Sequence, residues 1–226
     1  MSNWKISVQK DKNNFESFKN WAKLHQEFIA ILIIVILIIG IGLPYYLNSV
    51  ATNNKKSMAM LNMGIYYLNA PVGPQSAFKT EVEKYQECST FFNKVKNLYP
   101  GTQAYNIAYY YLGKCDLFLQ NYMLASKYFK LAYKKLKNTP LGQEAFIGVG
   151  MCYISQSQWN PAILIFEKYL KIYPNGFLRE EARFNLAKID KLVHNLAMAK
   201  IELKKIIHSH PNSDWAKQAS FELQTL

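Results

Sequence analysis

The sequence predicts an all-α chain in which one N-terminal transmembrane helix leads into a solenoid of helical hairpins, closed by a C-terminal capping helix. Three observations predict it. Phe28 to Leu47 is an uncharged apolar run, residues recur at a fixed step of 37 through the C-terminal half, and 226 residues hold only 10 Gly and 8 Pro. With 50% apolar residues the chain can bury a real core, but it has little room for two large domains.

The apolar run comes first. Twenty residues rising about 1.5 Å each span roughly 30 Å, the thickness of a bilayer's hydrocarbon core. The stretch Ile29 to Ile39 is almost pure Ile, Leu and Val. Residues 28–47 therefore read as an uncleaved anchor, because the 27 residues before them far exceed a usual signal-peptide n-region. A small-x-small site at Ser49-Val50-Ala51 keeps a cleaved signal peptide as the alternative. No Cys near its end suits a lipid anchor.

Flanking charge gives a direction. Lys5, Lys10, Lys12, Lys19 and Lys23 precede the span, and only Lys55 and Lys56 follow it before a long domain. The tail, residues 1–27, is expected inside and residues 48–226 outside, which in a bacterium is the periplasm. Within the tail Phe15, Phe18, Trp21, Leu24 and Phe28 recur at helical steps opposite Lys12, Lys19 and Lys23, the pattern of an interfacial helix. Trp21 and Tyr45-Tyr46 suit the two headgroup belts.

The repeat follows. Ala108, Ala145, Ala182 and Ala219 stand 37 apart, as do Gly113, Gly150 and Ala187, then Ala125, Ala162 and Ala199, then Phe129, Phe166 and Leu203. Tyr173-Pro174-Asn175 recurs as His210-Pro211-Asn212. Small residues let two helices approach, a large one fills the space between, and proline ends each unit because it cannot continue a helix. One hairpin cannot cover its own apolar face, so neighbours stack. Units are expected at about 52–100, 101–140, 141–174 and 175–211, with a cap at 212–226. The first is distorted by about 12 extra residues near Asn69 to Lys79, where Ala70-Pro71-Val72-Gly73-Pro74 breaks any helix.

These residues resemble the tetratricopeptide repeat family, whose pattern is a large residue, then Leu-Gly, Tyr, Ala, Phe, Ala and Pro at set offsets. Phe146, Val149-Gly150, Tyr153, Ala162, Phe166 and Pro174 follow it. Departures are Asp116 in place of the Tyr, Lys137 in place of the Pro with Pro140 three residues late, and Arg183 in place of the large residue. The layout of tail, span and repeat domain is similar to the YfgM-like, translocon-associated inner-membrane proteins of bacteria.

No constellation for chemistry stands out. His208 and His210 form an H-x-H pair without a third ligand, and Glu180-Glu181 reads as first-turn carboxylates complementing a helix dipole. No phosphate loop, nucleophile elbow or zinc-protease motif occurs. The expectation is a non-enzyme with no cofactor, no metal and no small-molecule substrate. Cys88, Cys115 and Cys152 are expected as buried small hydrophobes, since equivalent sites on neighbouring hairpins lie beyond disulfide reach.

The net charge is +12, of which 22 Lys or Arg against 12 Asp or Glu lie past residue 47. Lys127, Lys130, Lys134 and Lys137 make one basic helix face, a candidate surface for anionic lipid or an acidic partner. Nucleic acid is not expected. The resemblance implies a groove lined by the first helix of each unit, with Tyr110, Lys114, Phe118, Met151, Ser155, Lys188 and Lys191 facing a partner's apolar helix or acidic-ended segment. The function implied is an envelope scaffold that assists export, chaperoning or assembly. Its expected partners are translocon subunits, periplasmic chaperones or exported proteins. A structural component of a division or outer-membrane assembly is the alternative.

Overall fold

The computed structural model describes residues 15–226, so the tail's Lys5, Lys10 and Lys12 lie outside the described residues. The described chain is all helical apart from an isolated bridge between Val72 and Phe78. It falls into two units, residues 1–52 and 53–226.

The first unit contains α1 (residues 15–24), α2 (Gln26–Leu37), a π-helical turn (Ile38–Gly42) and the start of α3 (Leu43–Leu68). The helix running from Gln26 to Leu68 is long and apolar enough to cross a membrane, and none of its most apolar stretch is buried in protein. The π turn has a local cause. Pro44 has no N–H and its ring crowds the carbonyl four residues back, so the ladder widens and the Leu43 N–H donates to Ile38 O instead. In α1, Phe18 stacks on Trp21 with ring centroids 6.1 Å apart, and both rings are exposed.

The second unit contains the rest of α3, α4 (Glu81–Leu98), α5 (Gln103–Phe118), α6 (Tyr122–Leu136), α7 (Pro140–Ile154), α8 (Trp159–Ile172), α9 (Arg179–Leu192), α10 (Leu196–Ser209) and α11 (Asp214–Gln224). Helices α3, α5, α7, α9 and α11 are the first (A) helices of their hairpins, and α4, α6, α8 and α10 are the second (B).

What makes each of the first three hairpins is one aromatic ring laid on a glycine. A Cβ on Gly64 would stand 2.6 Å from Phe92, one on Gly113 2.7 Å from Phe129, and one on Gly150 2.6 Å from Phe166. In the last hairpin Ala187 packs in one cluster with Leu203, a larger residue on the A helix against a smaller one on the B helix. Gly113–Phe129 and Gly150–Phe166 are 16 residues apart and Gly64–Phe92 is 28 apart, the 12 additional residues forming the loop between α3 and α4. Phe78 returns from that loop into the core, edge-on to Tyr67 at 5.7 Å.

The turns also repeat. Thr102, Thr139 and Ser213, at multiples of 37, are N-caps whose hydroxyls accept from the N–H three residues on and donate to Tyr99 O, Leu136 O and His210 O. Pro140, which looked displaced in the sequence, is in the first turn of α7, where a missing N–H costs nothing. Between A and B helices the chain takes a left-handed residue at Gln120, Ser157 and His194, again one repeat apart. Asp116 fits this turn, since its carboxylate accepts from Asn121 Nδ2 at 3.1 Å, and Asp190 does the same for Asn195 at 3.2 Å. The departure from the repeat pattern is thus a capping residue.

Candidate partner-binding groove

Helix α5 packs on α7 and α9 on α11, no packing of that extent joins α6 to α8 or α8 to α10, and between α7 and α9 the layer is looser, leaving room for a cavity. The A helices therefore form the inner layer, and residues spaced by 37 along them make columns. One column is Tyr110, Ile147, Phe184 and Phe221, the next is Lys114, Met151 and Lys188, and a third holds Glu144 and Glu181.

Between α5, α7 and α9 these columns border a cavity of about 230 Å³ lined by Tyr110, Lys114, Leu117, Glu144, Ile147 and Met151, with Glu181 from α9 and Leu178 from its N-cap. Phe129 and Gly148 also line it. Of the residues expected in a groove, Tyr110, Lys114 and Met151 come together here. Tyr110 is a wall as much as a ligand-facing group, because it is buried and its hydroxyl donates to Glu144. The Lys114 ammonium lies over its ring at 5.7 Å from the centroid.

The other four are not in this cavity. Phe118 is stacked flat on Tyr85 of α4 at 3.9 Å, still 42% exposed. Ser155 is the exposed C-cap of α7. Lys188 is exposed beside the Phe184 ring. Lys191 is not available to a partner: its ammonium bonds Glu222 Oε1 at 2.8 Å and Thr225 at 2.9 Å on the last turn of the chain. That corrects its expected role, because the terminal helix supplies the counter-charge.

Sequence reasoning missed Glu144 and Glu181, which bring negative charge to a groove expected to carry only lysines. Their separation of one repeat was the available signal. Burial, then the nearby Glu144 carboxylate, pushes Glu181 above the usual carboxylate range. Its neighbour Glu180 has the opposite fate. Burial raises it, but the Arg179 guanidinium at 2.7 Å, its own backbone N–H and His210 at 3.1 Å outweigh that and hold it below the usual range. So the two adjacent carboxylates do different things, and first-turn dipole complementation describes neither fully.

A second cavity, about 510 Å³, opens between α8, α9 and α10. Its charges are largely matched internally, with Glu202 accepting from Arg183 at 2.7 Å and Lys205 at 2.6 Å. Lys127, Lys130 and Lys134 on α6 and Lys137 at its C-cap are all exposed, with Lys130 donating to the hydroxyl of Tyr153 on α7 at 3.3 Å. Cys88, Cys115 and Cys152 are free and buried. Among the described residues no group of three His, Cys, Asp or Glu could hold a metal ion. His208 and His210 are no exception.

The tetratricopeptide repeat family matches residues 144–176, the central hairpin. No curated protein matches the chain in sequence. Among solved structures, MamA residues 41 to the end from Desulfovibrio magneticus RS-1 is similar at TM-score 0.55 and 19% identity, covering 70% of this chain and 77% of that one. The nearly identical TPR-like repeats of a putative kinesin light chain from Podosopora anserina are similar at TM-score 0.57 and 11% identity, covering 75% and 84%. At these identities the likeness is one of fold. The fold is a tetratricopeptide-like solenoid.

Proposed function

We propose that this tetratricopeptide-fold chain is a membrane-anchored scaffold that holds segments of other proteins against its A-helix layer. The observation that carries the reading is the cavity between α5, α7 and α9, where partly exposed Met151, Leu117 and Leu178 lie over buried Ile147 beside charged groups. A layer whose sole task was packing would close over such residues; here they border open space.

The anchor is residues 28–47, in the inner membrane of a bacterial envelope, with the tail of residues 1–27 in the cytoplasm and the repeats in the periplasm. The excess of tail lysines over the two that follow the span supports that direction. In this setting the scaffold assists export, chaperoning or assembly of envelope proteins, with translocon subunits, periplasmic chaperones or exported chains as partners, in the manner of YfgM-like proteins.

The test is site-specific photocrosslinking in intact membranes. A benzophenone amino acid at Met151 is expected to give discrete protein adducts, identified by mass spectrometry, that are missing when the probe is at exposed Leu164 on α8. Translocon or chaperone adducts support the export role, and division or outer-membrane assembly proteins reassign the machine. No adduct specific to Met151 overturns the groove.

A further inference from the structure

We infer that the cavity between α5, α7 and α9 receives a cationic side chain, a lysine or arginine carried on an otherwise apolar segment of the protein partner. The inference rests on the groove reading above and gives it a chemistry.

Three features of the cavity point the same way. First, its shape and size suit one long side chain rather than a whole helix: about 230 Å³, walled by Leu117, Ile147, Met151 and Leu178, which would pack along an aliphatic stem. Second, two carboxylates face it from successive A helices, and among the described residues neither Glu144 nor Glu181 has an ion-pair partner. Glu144 accepts from the Tyr110 hydroxyl, whereas Glu181 has no side-chain hydrogen bond at all. Of the buried carboxylates elsewhere on the domain, Glu180 is matched by Arg179 and His210 and Glu202 by Arg183 and Lys205, whereas Asp116 and Asp190 each accept from an asparagine in a turn; Glu181 has neither kind of side-chain partner among the described residues. A half-buried, unmatched carboxylate pair is costly in the free protein, and a ligand cation removes the cost. Third, the one cation lining the cavity is not paired with the carboxylates. Lys114 lies over the Tyr110 ring and forms no ion pair with either carboxylate, leaving the cavity net negative.

The surroundings make the inference discriminating. The chain carries a net charge of +12, so general electrostatics repel a cationic ligand and attract an anionic one. Preference for a cation can come only from a local site. The same contrast gives specificity, because an acidic side chain entering the cavity meets two like charges. The burial that pushes Glu181 upward is offset by the positive charge of the same ligand.

The experiment compares two dye-labelled nonapeptides of Leu and Ala that differ only in a central Arg or Glu, titrated by fluorescence anisotropy against the full chain in uncharged detergent. The Arg peptide is expected to bind at least about tenfold more tightly. The double substitution Glu144→Gln with Glu181→Gln is expected to erase that preference while the melting temperature does not fall, and Lys200→Gln, at an exposed position on α10 outside the cavity, is expected to leave it in place. Micelle partition is common to all variants and cancels in the comparison. Equal or tighter binding of the Glu peptide, preference retained by the double variant, or no binding of either peptide overturns the inference. If Met151 crosslinks still form under any of these outcomes, the groove stands and only its cation chemistry falls.

Discussion

The Tyr169 phenol oxygen lies 3.3 Å from the Leu178 backbone nitrogen, accepting its N–H at the start of α9 while donating to Gln143 Oε1 at 2.7 Å. The repeat explains why a tyrosine does this. The N-cap hydroxyl that Thr102, Thr139 and Ser213 supply would fall at Gly176, which has no side chain and no space for one: a Cβ there would meet the phenol at 2.6 Å. Tyr169→Phe keeps the ring and its packing but orphans a helix-terminal N–H and the Gln143 acceptor. It is expected to cost about 1–2 kcal/mol in denaturant unfolding, and a loss below about 0.3 kcal/mol would mean that water caps α9.

The ring-on-glycine contact predicts a rescue. Gly150→Ala drives a methyl into Phe166 and is expected to destabilise by about 1–3 kcal/mol. The last hairpin already shows the compensating pair, Ala187 with Leu203. Adding Phe166→Leu to Gly150→Ala should therefore recover stability by thermal melting, although Phe166→Leu alone leaves a void and costs stability. Additive losses would show that the two hairpins are not interchangeable here.

His194 sits at φ 60°, in the left-handed region that costs a side-chain-bearing residue about 1–2 kcal/mol. His194→Gly removes that strain but adds entropy to the unfolded chain, for a net gain of roughly 0.5 kcal/mol. Gln120→Gly should behave alike, since Gln120 holds the same turn position at φ 63°. A loss of stability in both variants would contradict the strain account.

Burial pushes the Cys88 thiol up to about 11 and Cys152 to about 12, and Cys115 higher still. Thiolate is the reactive form, so alkylation by iodoacetamide at pH 8 is expected to wait for unfolding and to proceed at one rate for all three. Mobility on a non-reducing gel should not change on reduction. Rapid modification of any one cysteine in the folded chain would show a local opening.

Glu181 gives the pH dependence. Its folded-state value is raised, by burial first and by Glu144 of α7 second, with Tyr110 and Lys114 of α5 as its other polar neighbours in the cavity. Between the usual carboxylate value and the raised one, the folded state holds more proton than the unfolded state, so this group's contribution to stability falls as pH rises through that window. Glu181→Gln is expected to be at least as stable as the parent at pH 7, and the gap should close near pH 4. Asp116 and Asp190 are shifted the same way, chiefly by burial, and drop out of the difference because both proteins share them.

The frame of the domain was legible because it is written as identity at a fixed step. Gly113 and Gly150 against Phe129 and Phe166, and small residues such as Ala125 and Ala162, each have one physical use, close approach of two helices. Ionisable residues have several uses, and those were misread. Glu181 on a first helical turn is indistinguishable in sequence from a solvated, dipole-complementing carboxylate, and only the juxtaposition of three A helices gives it a cavity. Lys191 looked free because its partner, Glu222, belongs to a helix 31 residues away whose orientation sequence spacing does not fix. Asp116 looked like a lapse from the family pattern, yet Asn121 five residues on made it half of a turn.

Since the α5–α6 and α7–α8 hairpins each carry a threonine start signal and a left-handed corner at a constant interval, the joints at Thr102 and Thr139 are chemically alike. A gene duplication that copies 37 codons in frame, from one threonine cap to the next, inserts a segment whose two ends find the neighbours they already had. Lineages of such chains can thus change the length of their inner wall in whole increments without inventing a new junction, and can then vary column residues such as Glu144 and Glu181 one lining position at a time.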